Sequence, residues 1–201
     1  SIRNAVDAAT YIGKNKADNT VGRFIEDHLD SCSNFKIWRK AMPTRIPKAL
    51  KDYQSRMSKC NFEDVYNEIK DIKAILEDGQ TLFHGGHWNF GNSLLTSRPL
   101  STTFCPVVAF CETLHNGKAY DAGQIDLWVL KVIDPVTNVY VFNPNSNLGH
   151  EKEVLFNSGA SLRLINRTKV NNGMKVIKIN PRTTAELSKI VPVNVLEVEI
   201  S

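Results

Sequence analysis

Two carboxylates one residue apart are the most chemically suggestive feature of this sequence. In the stretch GHEKEVLF, residues 149–156, Glu151 and Glu153 stand just before an apolar run. If the run is a strand, side chains two apart share a face and both acids point the same way. Like charges that close repel, and a carboxylate buried alone is costly. Two other segments carry groups that such a pair can use. TLFHGGHW, residues 81–88, ends a candidate strand in His84-Gly85-Gly86, and paired glycines let a ligand approach the backbone closely. RPLSTTFCP, residues 98–106, supplies Ser101, Thr102 and Thr103, whose hydroxyls can fix a neighbouring carboxylate. Taken singly, each segment reads first as ordinary structure: a surface Glu-x-Glu strand, a Gly-Gly turn, a plain β-segment. The C-terminal Glu197-x-Glu199 repeats the first spacing, so that pattern alone is weak.

The elements that must hold these groups fall into two zones that meet near residue 80. The earlier zone reads as helical. Val21, Phe24, Ile25 and Leu29 recur at helical intervals. Pro47 suits a first helical position ahead of Ala49, Leu50 and Tyr53. The clearest helix is capped by Asn61, with Phe62, Val65, Tyr66, Ile69, Ile72, Ile75 and Leu76 as its stripe, and Gly79 ends the zone. The later zone reads as short strands: TLFHG, DLWVLKVI, VYVF, EVLF, SLRLI, MKVIKI and VLEVEI, with a short helix after Pro106. Helices followed by a largely antiparallel sheet make an α+β chain.

Bulk properties set the frame. The chain has 201 residues, 42% hydrophobic and 23% charged, enough for one sizeable core. Lys plus Arg number 25 and Asp plus Glu 21, a net +4 that permits an anionic ligand or a nucleic acid without demanding either. Cys32, Cys60, Cys105 and Cys111 lack Cys-x-x-Cys spacing and read as free thiols rather than a zinc site or a disulfide scaffold. No apolar stretch reaches membrane-spanning length. The N-terminus lacks the features of a signal peptide and has no initiator Met, which reads as a piece of something longer.

Order and spacing together say more than each motif. His84-Gly85-Gly86 comes first, Leu100-Ser101-Thr102-Thr103 within about twenty residues, and Glu151-x-Glu153-Val154-Leu155 some fifty residues later. In this the sequence resembles the mono-ADP-ribosyltransferase toxin family, in its arginine-directed Ser-Thr-Ser/Glu-x-Glu class. His84 stands where that class usually has Arg, and Thr103 replaces the third Ser while keeping its hydroxyl. IPKAL in the helical zone and VVAF after the Ser-Thr element are supporting likenesses, and the resemblance covers roughly residues 20–200.

The resemblance implies an α+β fold with an N-terminal helical lobe packed on a mixed, mainly antiparallel β-sandwich core of the ADP-ribosyltransferase type. It implies one catalytic domain over 1–201, with the lobe at 1–79 and a β-rich NAD-binding core at 80–201. The implied reaction moves ADP-ribose from NAD to a protein acceptor, arginine foremost, and releases nicotinamide; NAD is the substrate and no metal is needed. By the same resemblance Glu153, Glu151 and Ser101 are catalytic. Glu153 bonds the ribose 2′-hydroxyl, Ser101 orients Glu153, and Glu151 faces the nucleophile. His84, Gly85, Gly86, Thr102 and Thr103 bind NAD, and the polar loop 143–150 recognises the acceptor through Asn145 and Asn147. A neutral imidazole offers one donor and one acceptor, so His84 reads as a partner for a ribose hydroxyl or the nicotinamide end. The phosphates then fall to Arg98, Arg163 or Arg167. Trp88 and Trp128 read as core rather than as stacking platforms. The implied partners are NAD and a protein in a target cell, with a nucleic-acid acceptor as a second possibility and no membrane. The implied setting is a toxin or effector module of a larger secreted polypeptide, acting in the target cell's cytoplasm. Two further readings stand beside it: an acceptor other than arginine, and a catalytically impaired binding module of the same fold.

Overall fold

A computed structural model of the protein describes residues 2–15, 18–56, 60–146 and 148–201. Five helices come first: α1 (Ala5–Asn15), α2 (Asn19–Ser31), α3 (Ser33–Ala41), α4 (Lys48–Arg56) and α5 (Phe62–Ile72). Asp18 caps α2 by accepting from Thr20 N, and Asn61 caps α5 by accepting from Glu63 N. The stripe expected to run on to Leu76 stops at Ile72. Lys73 turns left-handed at φ 58, and the freed carbonyl of Ala74 accepts from Val139 N at 2.8 Å. A strand contact thus replaces the last helical turn.

Sequence reading did not mark α1 or α3 as helices. Ala9 and Ile12 of α1 are fully buried, and α1 lies against the sheet on a small-residue face where Val170 would be 2.8 Å from a Cβ on Gly13. In α3, Phe35 and Trp38 clasp Phe104, one edge-on at 5.8 Å and the other stacked at 6.1 Å.

The strands are β1 (Thr81–Gly85), β2 (Ser93–Leu95), β3 (Leu100–Thr103), β4 (Ile125–Val132), β5 (Val139–Val141), β6 (Glu153–Phe156), β7 (Ser161–Ile179) and β8 (Glu186–Ile200). The helices α6 (Pro106–Leu114), started by Pro106 as expected, and α7 (Lys118–Ala122) lie between β3 and β4. The sheet order is β2-β7-β8-β4-β1-β3-β6-β5. Among the described strands only β4–β8 is parallel. The β1–β3 join is a single register pair, Phe83 with Thr103. Residues from β4, β7 and β8 (Leu130, Leu162, Leu196) share one core with residues from β5 and β6 (Tyr140, Leu155) and with the helical lobe. The ladder therefore folds back over a common core, the arrangement expected of the α+β reading.

SLRLI and MKVIKI, read as two strands, are one 19-residue strand. Its pairing with β8 slips at three places between Leu164 and Met174. The last slip lies opposite Pro192, which sits between the paired Val191 and Val193 and has no N–H to give. The four cysteines are free thiols. No helix among the described residues is long and apolar enough to cross a membrane.

Candidate active site

Three strands bring the expected residues together. In the β3–β6 ladder Thr103 pairs with Glu153 and Ser101 with Leu155. Ser101 and Thr103 are two apart on one strand, so they share the face on which Glu153 lies. The Ser101 hydroxyl donates to Glu153 Oε1 at 2.6 Å, and Gln54 Nε2 on α4 donates to Glu153 Oε2 at 3.0 Å. Glu153 is only 6% exposed. Burial pushes its carboxyl above the usual range, and the Ser101 and Gln54 hydrogen bonds pull the other way.

Glu151 is not on the strand. It ends a single 3-10 turn, Gly149–Glu151, and Lys152 follows in the left-handed region at φ 49. The expectation that a shared strand would face both acids the same way is therefore corrected: strand pairing starts at Glu153. The charges still meet, because Glu151 raises the Glu153 carboxyl. Glu151 is itself raised, first by burial and then by Glu112, with His150 and His115 opposing. Lys152 closes this corner. It is 8% exposed, and its ammonium bonds Glu26 on α2 at 2.7 Å and the His150 carbonyl at 3.0 Å. It also holds the Glu26 carboxyl below its usual range.

His84 on β1 lies beside β3. Its Nδ1 is 2.7 Å from the Ser101 carbonyl. A carbonyl only accepts, so Nδ1 carries the proton and a neutral ring leaves Nε2 as an acceptor. Desolvation by the surrounding atoms pushes the imidazole down to about 4, more than the Ser101 carbonyl restores. His84 is thus neutral at physiological pH. A Cβ on Gly86 would lie 2.5 Å from His84 Nε2, so this glycine keeps Nε2 uncovered. Gly85 does something else: its Cβ would fall 1.9 Å from the Ala109 carbonyl. Its bareness lets α6 seat against β1.

The remaining expected residues divide. Thr102 faces the opposite side of β3, 2% exposed, and its hydroxyl donates to Val154 O at 2.7 Å. Thr103 donates to Glu151 O at 2.6 Å and accepts from Cys105 N at 3.0 Å. Both hydroxyls hold backbone. Asn145 is exposed in a loop closed on itself, where Asn143 Oδ1 takes Asn145 N at 2.9 Å and a Cβ on Gly149 would be 1.7 Å from the Pro144 carbonyl. Asn147 lies outside the described residues. Arg163 pairs with Glu199 and Arg167 donates to Trp88 O. Arg98 is exposed, and its charge is felt by both His84 and Tyr53. Trp88 and Trp128 are buried and pack edge-on at 4.9 Å, as the core reading expected.

Sequence reading missed Gln54, Lys152 and Asp126. Asp126 is 1% exposed and anchors the turn after β1, accepting from Trp88 N at 3.0 Å, Gln124 at 2.7 Å and Asn194 at 2.8 Å. An acid inside the apolar run of β4 was its available signal. A cavity of about 730 Å³ opens elsewhere, between α1, α2 and β1, lined by Tyr11, Phe24 and Phe83 among others and by none of His84, Ser101, Glu151 or Glu153.

No protein-family model and no curated protein matches this chain. Among solved structures it is similar to Plx2a, an ADP-ribosyltransferase toxin from Paenibacillus larvae, with TM-score 0.50 and 14% identity over 90% of this chain and 96% of that one. It is also similar to the ADP-ribosyltransferase Vis from Vibrio splendidus, with TM-score 0.49 and 14% identity over 98% of this chain and 90% of that one. A further similar structure is C3larvin toxin from Paenibacillus larvae, with TM-score 0.47 and 13% identity over 83% and 92% of the two chains. The likeness to Plx2a shows that this chain has the fold of an ADP-ribosyltransferase.

Proposed function

We propose that residues 1–201 form a mono-ADP-ribosyltransferase that takes NAD as donor and a protein arginine as acceptor. The observation that carries this reading is the hold on Glu153: a nearly buried carboxylate, fixed by Ser101 on the adjacent strand, beside a neutral His84 whose ring is anchored to the Ser101 carbonyl. The residues present suit the donor. His84 Nε2 is an acceptor facing space that a Gly86 side chain would fill, which matches a sugar hydroxyl. Exposed Arg98 supplies charge for a phosphate.

NAD supplies a glycosidic bond to a cationic leaving group, nicotinamide. Glu153 accepts the ribose 2′-hydroxyl and stabilises positive charge as that bond breaks and its electron pair leaves with nicotinamide. Ser101 keeps Glu153 aimed. Glu151, at the mouth of β6, pairs with the incoming guanidinium, orients it and takes its proton as the new carbon–nitrogen bond forms. The acids therefore serve different partners, one the donor and one the acceptor, and cationic groups on both sides relieve their repulsion. In this reading the domain is the toxic or effector module of a secreted or translocated protein, acting in the cytoplasm of a target cell. Incubation with labelled NAD and a small guanidine compound tests it. Label appears on the guanidine with wild type and not with Glu153→Gln.

A further inference from the structure

The helical lobe reaches the site through α4. Leu50, Tyr53 and Gln54 occupy positions zero, three and four of one helical face. Leu50 and Tyr53 are buried at 0% and 6% exposure, so Gln54 is a polar residue at a core-facing position. Such a group must find a partner, and its partner is Glu153 Oε2 at 3.0 Å, 99 residues away in sequence. Only the amide nitrogen can face a carboxylate, which accepts and does not donate.

We propose that Gln54 is a positioning residue for Glu153, fixing from the helical lobe the oxygen that the sheet leaves free. Ser101 holds Oε1 from β3 and Gln54 holds Oε2 from α4. One contact leaves a carboxylate able to swing about its terminal torsion, which is broad and soft. Two contacts on different oxygens fix its plane. Each oxygen has two acceptor sites, so Gln54 uses one on Oε2 and leaves the other for the ribose 2′-hydroxyl. The carboxylate therefore takes its aim from both layers of the fold, and docking of α4 sets the geometry of the reacting group. The same bond favours the ionised form of a carboxylate that burial disfavours.

This inference rests on the proposed transferase reading, and its test separates the two. Glu153 is titrated by NMR with carbon-labelled glutamate in NAD-free wild type, Gln54→Leu and Gln54→Met, and NAD hydrolysis is followed across pH. Both Leu and Met fill the site with apolar volume, and both lose the donor. The Glu153 midpoint moves to higher pH in both variants, and the acid limb of kcat moves with it. At neutral pH kcat falls roughly 10- to 100-fold, the worth of one hydrogen bond to a charged group, with KM for NAD within about two-fold of wild type. An unchanged Glu153 midpoint in both folded variants overturns the proposal. So does a loss confined to KM, which makes Gln54 an NAD contact. If wild type hydrolyses no NAD, the transferase reading fails while the titration still decides Gln54.

Discussion

Ser101 and Glu153 stand two register positions apart on neighbouring strands: Glu153 is opposite Thr103, and the Ser101 hydroxyl spans the diagonal to Oε1 at 2.6 Å. Sheet register, not a loop, sets this contact, so it is rigid. Ser101→Ala removes a bond that lowers the Glu153 carboxyl and leaves burial to raise it unopposed on that side. Activity needs the ionised form, so the acid limb of NAD hydrolysis shifts to higher pH. At neutral pH kcat drops roughly 10- to 100-fold. A pH–rate profile checks both.

Glu151 lies off the strand, after the Gly149–Glu151 turn, and in the proposed chemistry it faces the acceptor. Glu151→Gln is expected to keep NAD hydrolysis within about three-fold of wild type and to cut transfer to arginine by the 10²–10⁴-fold of a lost general base. Parallel assays of hydrolysis and transfer measure the split; equal losses in the two would contradict the assigned roles.

His84 titrates at about 4, below the ~6.5 of an unfolded histidine. As pH falls the unfolded chain takes up this proton first. The histidine's contribution to stability is therefore complete above ~6.5 and is lost between there and about 4. Imidazole NMR resonances read this directly: the His84 signal has its midpoint near pH 4, and a midpoint above 6 would contradict the neutral-ring assignment.

The adjacent glycines separate structure from binding. Gly85→Ala forces a Cβ to within 1.9 Å of the Ala109 carbonyl, and backbone on both sides cannot yield. A cost of about 3 kcal/mol lowers Tm by roughly 6–12 °C. Gly86→Ala meets only the His84 ring, at 2.5 Å. The anchored ring must turn to admit it, a cost of about 1–1.5 kcal/mol that lowers Tm by roughly 2–6 °C, less than Gly85→Ala, and KM for NAD rises. Thermal melts and NAD kinetics on both variants check the contrast.

Local signals made much of this legible, and long-range ones did not. The cap of α5 and its stripe as far as Ile72, Pro106 before α6, and the period of β8 are local and were read correctly. Ser101 beside Glu153 was expected from the family resemblance, which the order and spacing of the motifs carry. Glu151 was placed on the strand because nothing in Lys152 advertises a left-handed residue; the turn is held by Thr103 on another strand and by Lys152 reaching Glu26 on α2. α3 is nine residues long, and Phe35 and Trp38 acquire meaning only once Phe104 lies against them. Gln54 looks like any surface glutamine until α4 is docked. Contacts made by tertiary packing leave no period or spacing to read.

Nicotinamide release from NAD, followed with purified wild type beside Glu153→Gln, tests the central claim most directly. The account predicts steady release by wild type and a loss of at least 100-fold in the variant, the scale of a removed electrostatic stabiliser, with both proteins folded. Release at equal rates would contradict the role given to Glu153, and no release from wild type even with cell lysate added would contradict the transferase reading and leave a protein that binds without turning over.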